Sequence, residues 1–282
     1  MRDIVSIITI TYNSEAMLQK TVESVDAQTY GNKEFIVIDG GSTDGTREYL
    51  VQHQDHIDAW ISETDQGIFD AMNKGSRKAT GEWIIFLNSG DVFSNDNVLE
   101  DVFSADIPEE VEVIYGDTVY SYGKEEYKEF RKSKELQNFW KGMVTSHQSF
   151  FIRKRIMEHR PFDGRYQIAA DFNQLYAHFM DGGLFMYKKL NIACVDTTGI
   201  SNNQRIIQSV LEHWSIIRRY SKITLSQQIY YIFWILTVLL LSGVKLITPG
   251  RTYIQFIRML RCGNRGHHIG NSDKYMFSLL KP

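Results

Sequence analysis

Trp83-Ile84-Ile85-Phe86-Leu87-Asn88-Ser89-Gly90-Asp91 decides the fold. Its first five residues are all apolar, the pattern of a parallel strand covered by helices on both faces. The run stops at an amide, a hydroxyl, a glycine and a carboxylate. In open α/β sheets ligands bind just beyond the carboxyl ends of the strands. Asp91 therefore falls where a metal-bound phosphate is expected.

Upstream the pattern repeats. Val5–Tyr12 reads as a first strand, and Asn13 or Ser14 is placed to cap a helix with apolar Leu18, Val22 and Val25. Phe35–Ile38 is a second buried strand, ending at Asp39 and followed by Gly40-Gly41-Ser42-Thr43-Asp44-Gly45-Thr46 and a helix around 47–53. Ala59–Ser62 is a short third strand, closed by Glu63-Thr64-Asp65-Gln66-Gly67. Ile68, Ala71, Met72, Gly75 and Ala79 then mark one helix face, with Asp70, Asn73 and Lys74 on others. Alternating strands and helices with short connections argue for a mostly parallel, doubly covered α/β sheet. Asp39, Asp65 and Asp91 stand after three of its strands. One such acid is an ordinary turn former, but three at equivalent ends share one edge of the sheet. A dinucleotide-binding Rossmann turn is excluded, because Thr11-Tyr12-Asn13-Ser14 lacks the glycines that let backbone approach a pyrophosphate. Tyr12 is either a packed strand-end tyrosine or an aromatic plane for stacking on a base.

The whole chain sets bounds. Its 282 residues suffice for one large domain with an appendage, and a net charge of −3 gives no support for a nucleic-acid partner. Cys194 and Cys262 stand far apart without nearby ligand pairs, so neither a disulfide framework nor a cysteine zinc site is built. Arg2 and Asp3 lead straight into a strand rather than a signal peptide, so a cytoplasmic location is expected.

Ser6–Asn13, Phe35–Thr46, Ser62–Gly75 and Gly81–Asp91 together resemble glycosyltransferase family 2, whose fold is termed GT-A. The stretch Ser62-Glu63-Thr64-Asp65-Gln66-Gly67-Ile68-Phe69-Asp70-Ala71-Met72-Asn73-Lys74-Gly75 is similar to that of bacterial enzymes building colanic acid, capsule and O-antigen. The resemblance implies a Rossmann-like sheet with an acceptor-side subregion, and an inverting transfer of one sugar from a UDP- or GDP-linked donor. It divides the chain into a transferase domain at 1–205 (nucleotide-binding half 1–112, acceptor-binding half 113–205) and a C-terminal helical region at 206–282. Tyr12 would stack on the base and Asp39 would accept a hydrogen bond from it. Thr11, Asn13, Asp65, Lys74, Asn88, Ser89 and Gly90 would line the donor, and Asp91 would ligate Mg²⁺ or Mn²⁺ bridging the diphosphate. One hard-cation carboxylate beside phosphate oxygens is chemically sufficient, although Asn88–Asp91 departs from the family's Asp-rich triplet.

Downstream, Val113–Asp117 reads as a strand and 120–130 as an acceptor-side hairpin, with Asp117 structural. Thr145–Ile152 carries the Ser-His-Gln that precedes an apolar strand in the polysaccharide enzymes. His147 is either a structural histidine or a contact to phosphate or acceptor. Asp171 opens a helix with Phe172, Leu175 and Phe179; it is either its cap or, as the resemblance implies, the general base. The helix dipole is expected to keep it ionised. Leu190–Val195 closes the domain. Gly199–Asn203, with Ser201, matches the loop expected over the diphosphate, and Arg205 could add charge there. The processive Gln-x-x-Arg-Trp motif is missing, which favours single-sugar addition.

Residues 229–244 are apolar all round and flanked by Arg218, Arg219 and Lys222 before, and Lys245, Arg251, Arg258, Arg261 and Arg265 after. A span needs about 20 such residues, and positive charge at both ends gives no orientation. The expectation is a peripheral segment at the inner face of the cell membrane, against a glycan or polyprenyl-diphosphate-linked acceptor; the other reading is a helix buried on the domain or in a homodimer. Two further activities compete: a nucleotidyltransferase, which would want a Gly- and Lys-rich first loop, and a scaffold that binds nucleotide-sugars without turnover.

Overall fold

The computed structural model describes residues 3–122, 128–197 and 205–247. The loop around Ser201 and the basic segment after 247 lie outside them. Four strands come first, each followed by a helix or a turn: β1 Val5–Thr11, α1 Glu15–Asp26, β2 Lys33–Asp39, α2 Thr46–Gln52, β3 Ala59–Ser62, α3 Ile68–Lys78 and β4 Trp83–Phe86. They form a parallel set in the order β3-β2-β1-β4. Then come β5 Val92–Phe93, α4 Val98–Phe103, β6 Val111–Ser121, β7 Lys128–Arg131, β8 Phe150–Arg153, α5 Lys154–His159, α6 Ala170–Met180 and β9 Leu184–Asp196. These extend the same sheet as β4-β8-β6-β9-β5, with β8 antiparallel to its neighbours and β9 parallel to β6. The expected hairpin is the antiparallel β6–β7 pair.

Alternate residues of each strand enter different cores, which is why the strand runs are apolar without a break. Ile8, Ile36, Ile38, Ile84 and Phe86 face α3, α5 and α6. Ile7, Phe35, Val37, Trp83, Ile85 and Leu87 face α1, α2 and α4. On α3, Ala71, Met72 and Gly75 are buried as their spacing predicts, but Ile68 is 45% exposed. It stands at the first helical position, where the core covers it only in part.

The C-terminal helices α7 Ile206–Tyr220 and α8 Leu225–Ile247 pack on the core below α6, through Val210, Ile216, Ile217, Tyr231, Trp234 and Val238. Up to residue 240 one face of α8 thus packs on the domain, as the second reading of 229–244 has it, while the opposite face is open. Among the described residues no helix is long and apolar enough to cross a membrane.

Candidate active site

Parallel register aligns the strand ends. Thr11 pairs with Asp39, and Asp39 with Ser62, so the three stand in one row, and β4 continues beside β1 through the Ser89 N–H donated to the Ile10 carbonyl (3.1 Å). The first two loops are then stitched together. Asn13 adopts φ 48°, its N–H donates to Ser42 Oγ (2.7 Å), and its Oδ1 accepts from the Thr43 N–H (2.8 Å). Asn is one of the few non-glycine residues that take this conformation readily.

Asp39 is fully buried. Its carboxylate accepts from Ser42 N–H and Oγ–H, and from Ser62 Oγ (2.6 Å). Tyr12 is 56% exposed, and a Cβ built on Gly40 would lie 3.3 Å from its ring and 3.1 Å from Asp65 Oδ2. Tyr12 and Asp65 thus flank the bare backbone of Gly40. Lys74 Nζ is held by Asp65 (2.6 Å), Glu63 (2.8 Å) and Asp70 (3.4 Å). Its hydrogen bonds to Asp65 and then Glu63 keep the ammonium protonated well above its ordinary value. Lys74 therefore orients Asp65 as much as it presents charge.

Asp91 is 5% exposed; Oδ2 accepts from Gln148 Nε2 (2.7 Å) and Oδ1 from the Asp196 N–H (3.0 Å). Burial pushes its carboxyl up to about 7 against the pull of those two hydrogen bonds. Thr11 Oγ1 and Asn88 Oδ1 are buried with no hydrogen-bond partner. Among the described residues no three His, Cys, Asp or Glu side chains gather around a cation site. The donors at hand are nevertheless hard oxygens: a buried carboxylate, the Asp196 charge beside it and an orphaned amide oxygen in the same turn. That set suits a cation shared with substrate phosphates rather than one caged by protein.

Asp171 is the second residue of α6. Its Oδ1 accepts from the Phe172 N–H (2.8 Å), and Oδ2 lies 3.7 Å from His147 Nδ1. The expectation of an easily ionised carboxylate at a helix start is corrected: burial raises its pKa, only partly offset by the Phe172 amide and by His213. His147 Nε2 stands 3.2 Å from Asn88 Nδ2. With the amide donating, the imidazole carries its proton on Nδ1, facing Asp171. Burial keeps that imidazole neutral, down to about 4.

His147 and Gln148 are consecutive, in the short turn His147–Ser149. One holds the Asp171 side and the other holds Asp91, so the two acids flank a single turn. Asp117, by contrast, accepts from Ser133 N–H (2.7 Å) and Tyr187 Oη (2.9 Å), the structural role expected of it.

Sequence reasoning gave no role to Gln148 or Asp196, nor to two residues of α7. Glu212 accepts the amides of Gln167 (3.2 Å), Ile168 (3.0 Å) and Ala169 (2.9 Å), fixing the approach to Asp171. His213 donates Nδ1–H to the Ser209 carbonyl (2.7 Å) and packs on Phe172, ring centres 4.4 Å apart. The sequence signal was there only for Gln148, inside the Ser-His-Gln motif; Glu212 and His213 lie past the expected domain end. Glu212→Gln leaves a half-buried N–H₂ facing amide donors, so it is expected to cost about 1 kcal/mol, read by urea denaturation, and to lower turnover by loosening Asp171.

The glycosyl transferase family 2 profile matches residues 6–190. A Mycobacterium tuberculosis protein named uncharacterized glycosyltransferase MT1564 is 33% identical over 216 residues, 71% of this chain and 78% of that one. The PGL/p-HBAD biosynthesis glycosyltransferase of Mycobacterium bovis is 31% identical over 183 residues, 60% of this chain and 66% of its own. Among solved structures, the Pyrobaculum calidifontis mannosyltransferase PcManGT, in complex with GDP-Man and Mn²⁺, superposes with a TM-score of 0.64 at 18% identity, over 99% of this chain and 85% of that one. Residues 1–349 of S. aureus TarS, in complex with UDP-GlcNAc, give 0.62 at 15% identity over 90% and 79%; the chain spans about half (49%) of the longer TarS structure. These likenesses give the fold, GT-A. With a profile match over more than half its length, the chain belongs to glycosyl transferase family 2 and is a glycosyltransferase.

Proposed function

We propose that this glycosyltransferase moves one sugar, with inversion, from a UDP- or GDP-linked donor to a hydroxyl of a lipid-linked glycan in surface polysaccharide assembly, at the inner face of the cell membrane. The observation that carries this reading is the turn His147–Ser149, which holds Asp91 on one side and Asp171 on the other. Thr11, Tyr12, Asn13, Asp39, Asp65, Lys74, Asn88, Ser89 and Gly90 form the donor side, with Tyr12 under the base. Asp91, with Asn88 Oδ1 near it, would hold Mg²⁺ or Mn²⁺, which when bound neutralises the charge gathering on the diphosphate. The PcManGT complex, with GDP-Man and Mn²⁺ together, supports both the donor class and the metal.

Asp171 takes the proton of the acceptor hydroxyl while that oxygen bonds to the anomeric carbon. The bond from that carbon to the phosphate oxygen breaks, and its electron pair leaves with the nucleotide diphosphate. A raised pKa makes Asp171 a stronger base than a free carboxylate, and a base works best when its pKa approaches the working pH. To His147, and to Ser201 outside the described residues, the same reading gives contacts with acceptor or phosphate. The likeness to a PGL/p-HBAD biosynthesis glycosyltransferase and to a putative teichuronic acid biosynthesis glycosyltransferase supports the place in surface polysaccharide assembly.

The test is a thermal-shift panel of UDP- and GDP-sugars with and without Mn²⁺. One base class should raise Tm in a metal-dependent way, since a ligand at 100 times its Kd adds about 2.7 kcal/mol. No shift with any nucleotide at saturating Mn²⁺ overturns the reading.

A further inference from the structure

Charge is divided unevenly along this chain. Residues 213–282 hold ten Lys and Arg and one acid, Asp273, whereas residues 1–212 hold 21 and 33. From 213 to 272 no acid occurs at all. The part that carries the reaction is thus acidic, and the part that carries α7 and α8 is basic.

Within that basic part α8 shows two unlike faces. Tyr231, Trp234 and Val238 are buried in the core. Leu225, Ile229, Ile232, Phe233, Leu236 and Leu240 are 48–72% exposed. At 3.6 residues per turn these six, with Leu239, fall within an arc of about 120°, opposite the buried three. Arg218, Arg219 and Lys222 stand immediately before this helix, and Lys245 near its end. At the α7–α8 junction a cavity of about 400 Å³ is lined by Trp214, Arg218, Ser221, Ile223 and Gln228. Trp214 Nε1 is buried without a hydrogen-bond partner.

We propose that the open face of α8 is a docking surface for an anionic lipid bilayer, with α8 lying along the interface and the α7–α8 cavity receiving a phospholipid phosphate beside Arg218. Apolar side chains enter the acyl boundary, the flanking Lys and Arg meet the headgroups, and the acidic half is repelled outward. Such an arc, exposed to water, is otherwise unfavourable. A second copy of the chain would bring one basic region against another, which the charge distribution disfavours.

The opposite, inner side of α8 is the one that reaches toward the reaction. The Trp234 ring on the inner side of α8 lies 6.5 Å from that of His213, and His213 packs on Phe172, the neighbour of Asp171.

This deepens the membrane placement in the proposed function, and its test reads adsorption without turnover, so the two can fail separately. The full chain is sedimented with vesicles of phosphatidylcholine alone and of phosphatidylcholine mixed with phosphatidylglycerol. Binding to the mixed vesicles is expected to be at least ~10-fold tighter, and to weaken in high salt. Phe233→Glu with Leu236→Glu should lose about 10-fold or more at unchanged Tm, and Arg218→Glu with Lys222→Glu should lose the preference for anionic lipid. The proposal is overturned by a chain that stays in the supernatant, by equal binding to both vesicles, or by a Phe233/Leu236 variant that binds like the parent. It is overturned too by a stable dimer that these two substitutions split.

Discussion

Asp171→Asn is expected to lower kcat by about 10²–10⁴-fold, the usual contribution of a positioned base. The amide keeps an acceptor for the Phe172 N–H but takes no proton. The stability of the variant separates this from a folding defect. Burial raises the carboxyl's pKa in the folded chain. Its contribution to stability is therefore complete below the unfolded value of about 3.9, and is lost as pH rises through the higher folded value. At neutral pH the parent bears that cost and the amide does not, so Tm should hold or rise. The acid limb of kcat/KM that Asp171 contributes should lie above the ordinary carboxylate range and vanish in the variant, leaving the limb of Asp91, which burial pushes up to about 7. His147, held at about 4, stays neutral across that limb. Full turnover by a well-folded Asp171→Asn protein would sink the assignment.

Asp91→Asn should reduce kcat/KM in Mn²⁺ by about 10²–10³-fold, a typical loss for one electrostatic stabiliser. Only one of the two oxygens remains, so either Gln148 Nε2 or the Asp196 N–H meets an amide N–H₂. A moderate fall in Tm, worth about 1–3 kcal/mol, follows from that clash alone. The diagnostic is a difference: nucleotide with Mn²⁺ should stabilise the parent and leave the variant unmoved, each compared with its own baseline. A variant that still gains stability from the pair would show that Asp91 serves structure only.

The reach of the sequence followed the range of the interactions. Strands β1 to β4 and their helices were readable because the signals are local: apolar runs of fixed length, Asn13-Ser14, and an acid at each strand end. Ile68 differs because its spacing suits the buried face of α3, while it stands at the helix's first position and is half exposed. The charge state of Asp171 was misjudged for a similar reason. A helix terminus is visible in the sequence, but the burial imposed by His147 and α7 is not. Glu212 and His213 lie some 40 residues downstream of the loop and base they attend, and no local pattern connects them. The half-buried α8 shows the same limit: hydrophobicity was plain, but which face is covered depends on Trp140, whose carbonyl accepts from Tyr231 Oη (2.7 Å).

His147 and Gln148 share one peptide bond; Gln148 hydrogen-bonds Asp91, and His147 Nδ1 stands 3.7 Å from Asp171. In the proposed reaction the residues beside the leaving-group charge and beside the proton acceptor are thus neighbours in sequence. A donor or acceptor of different size cannot be accommodated by stretching that pair. Diversification among such enzymes should instead fall on the lengths of the connections after β6 and after β9.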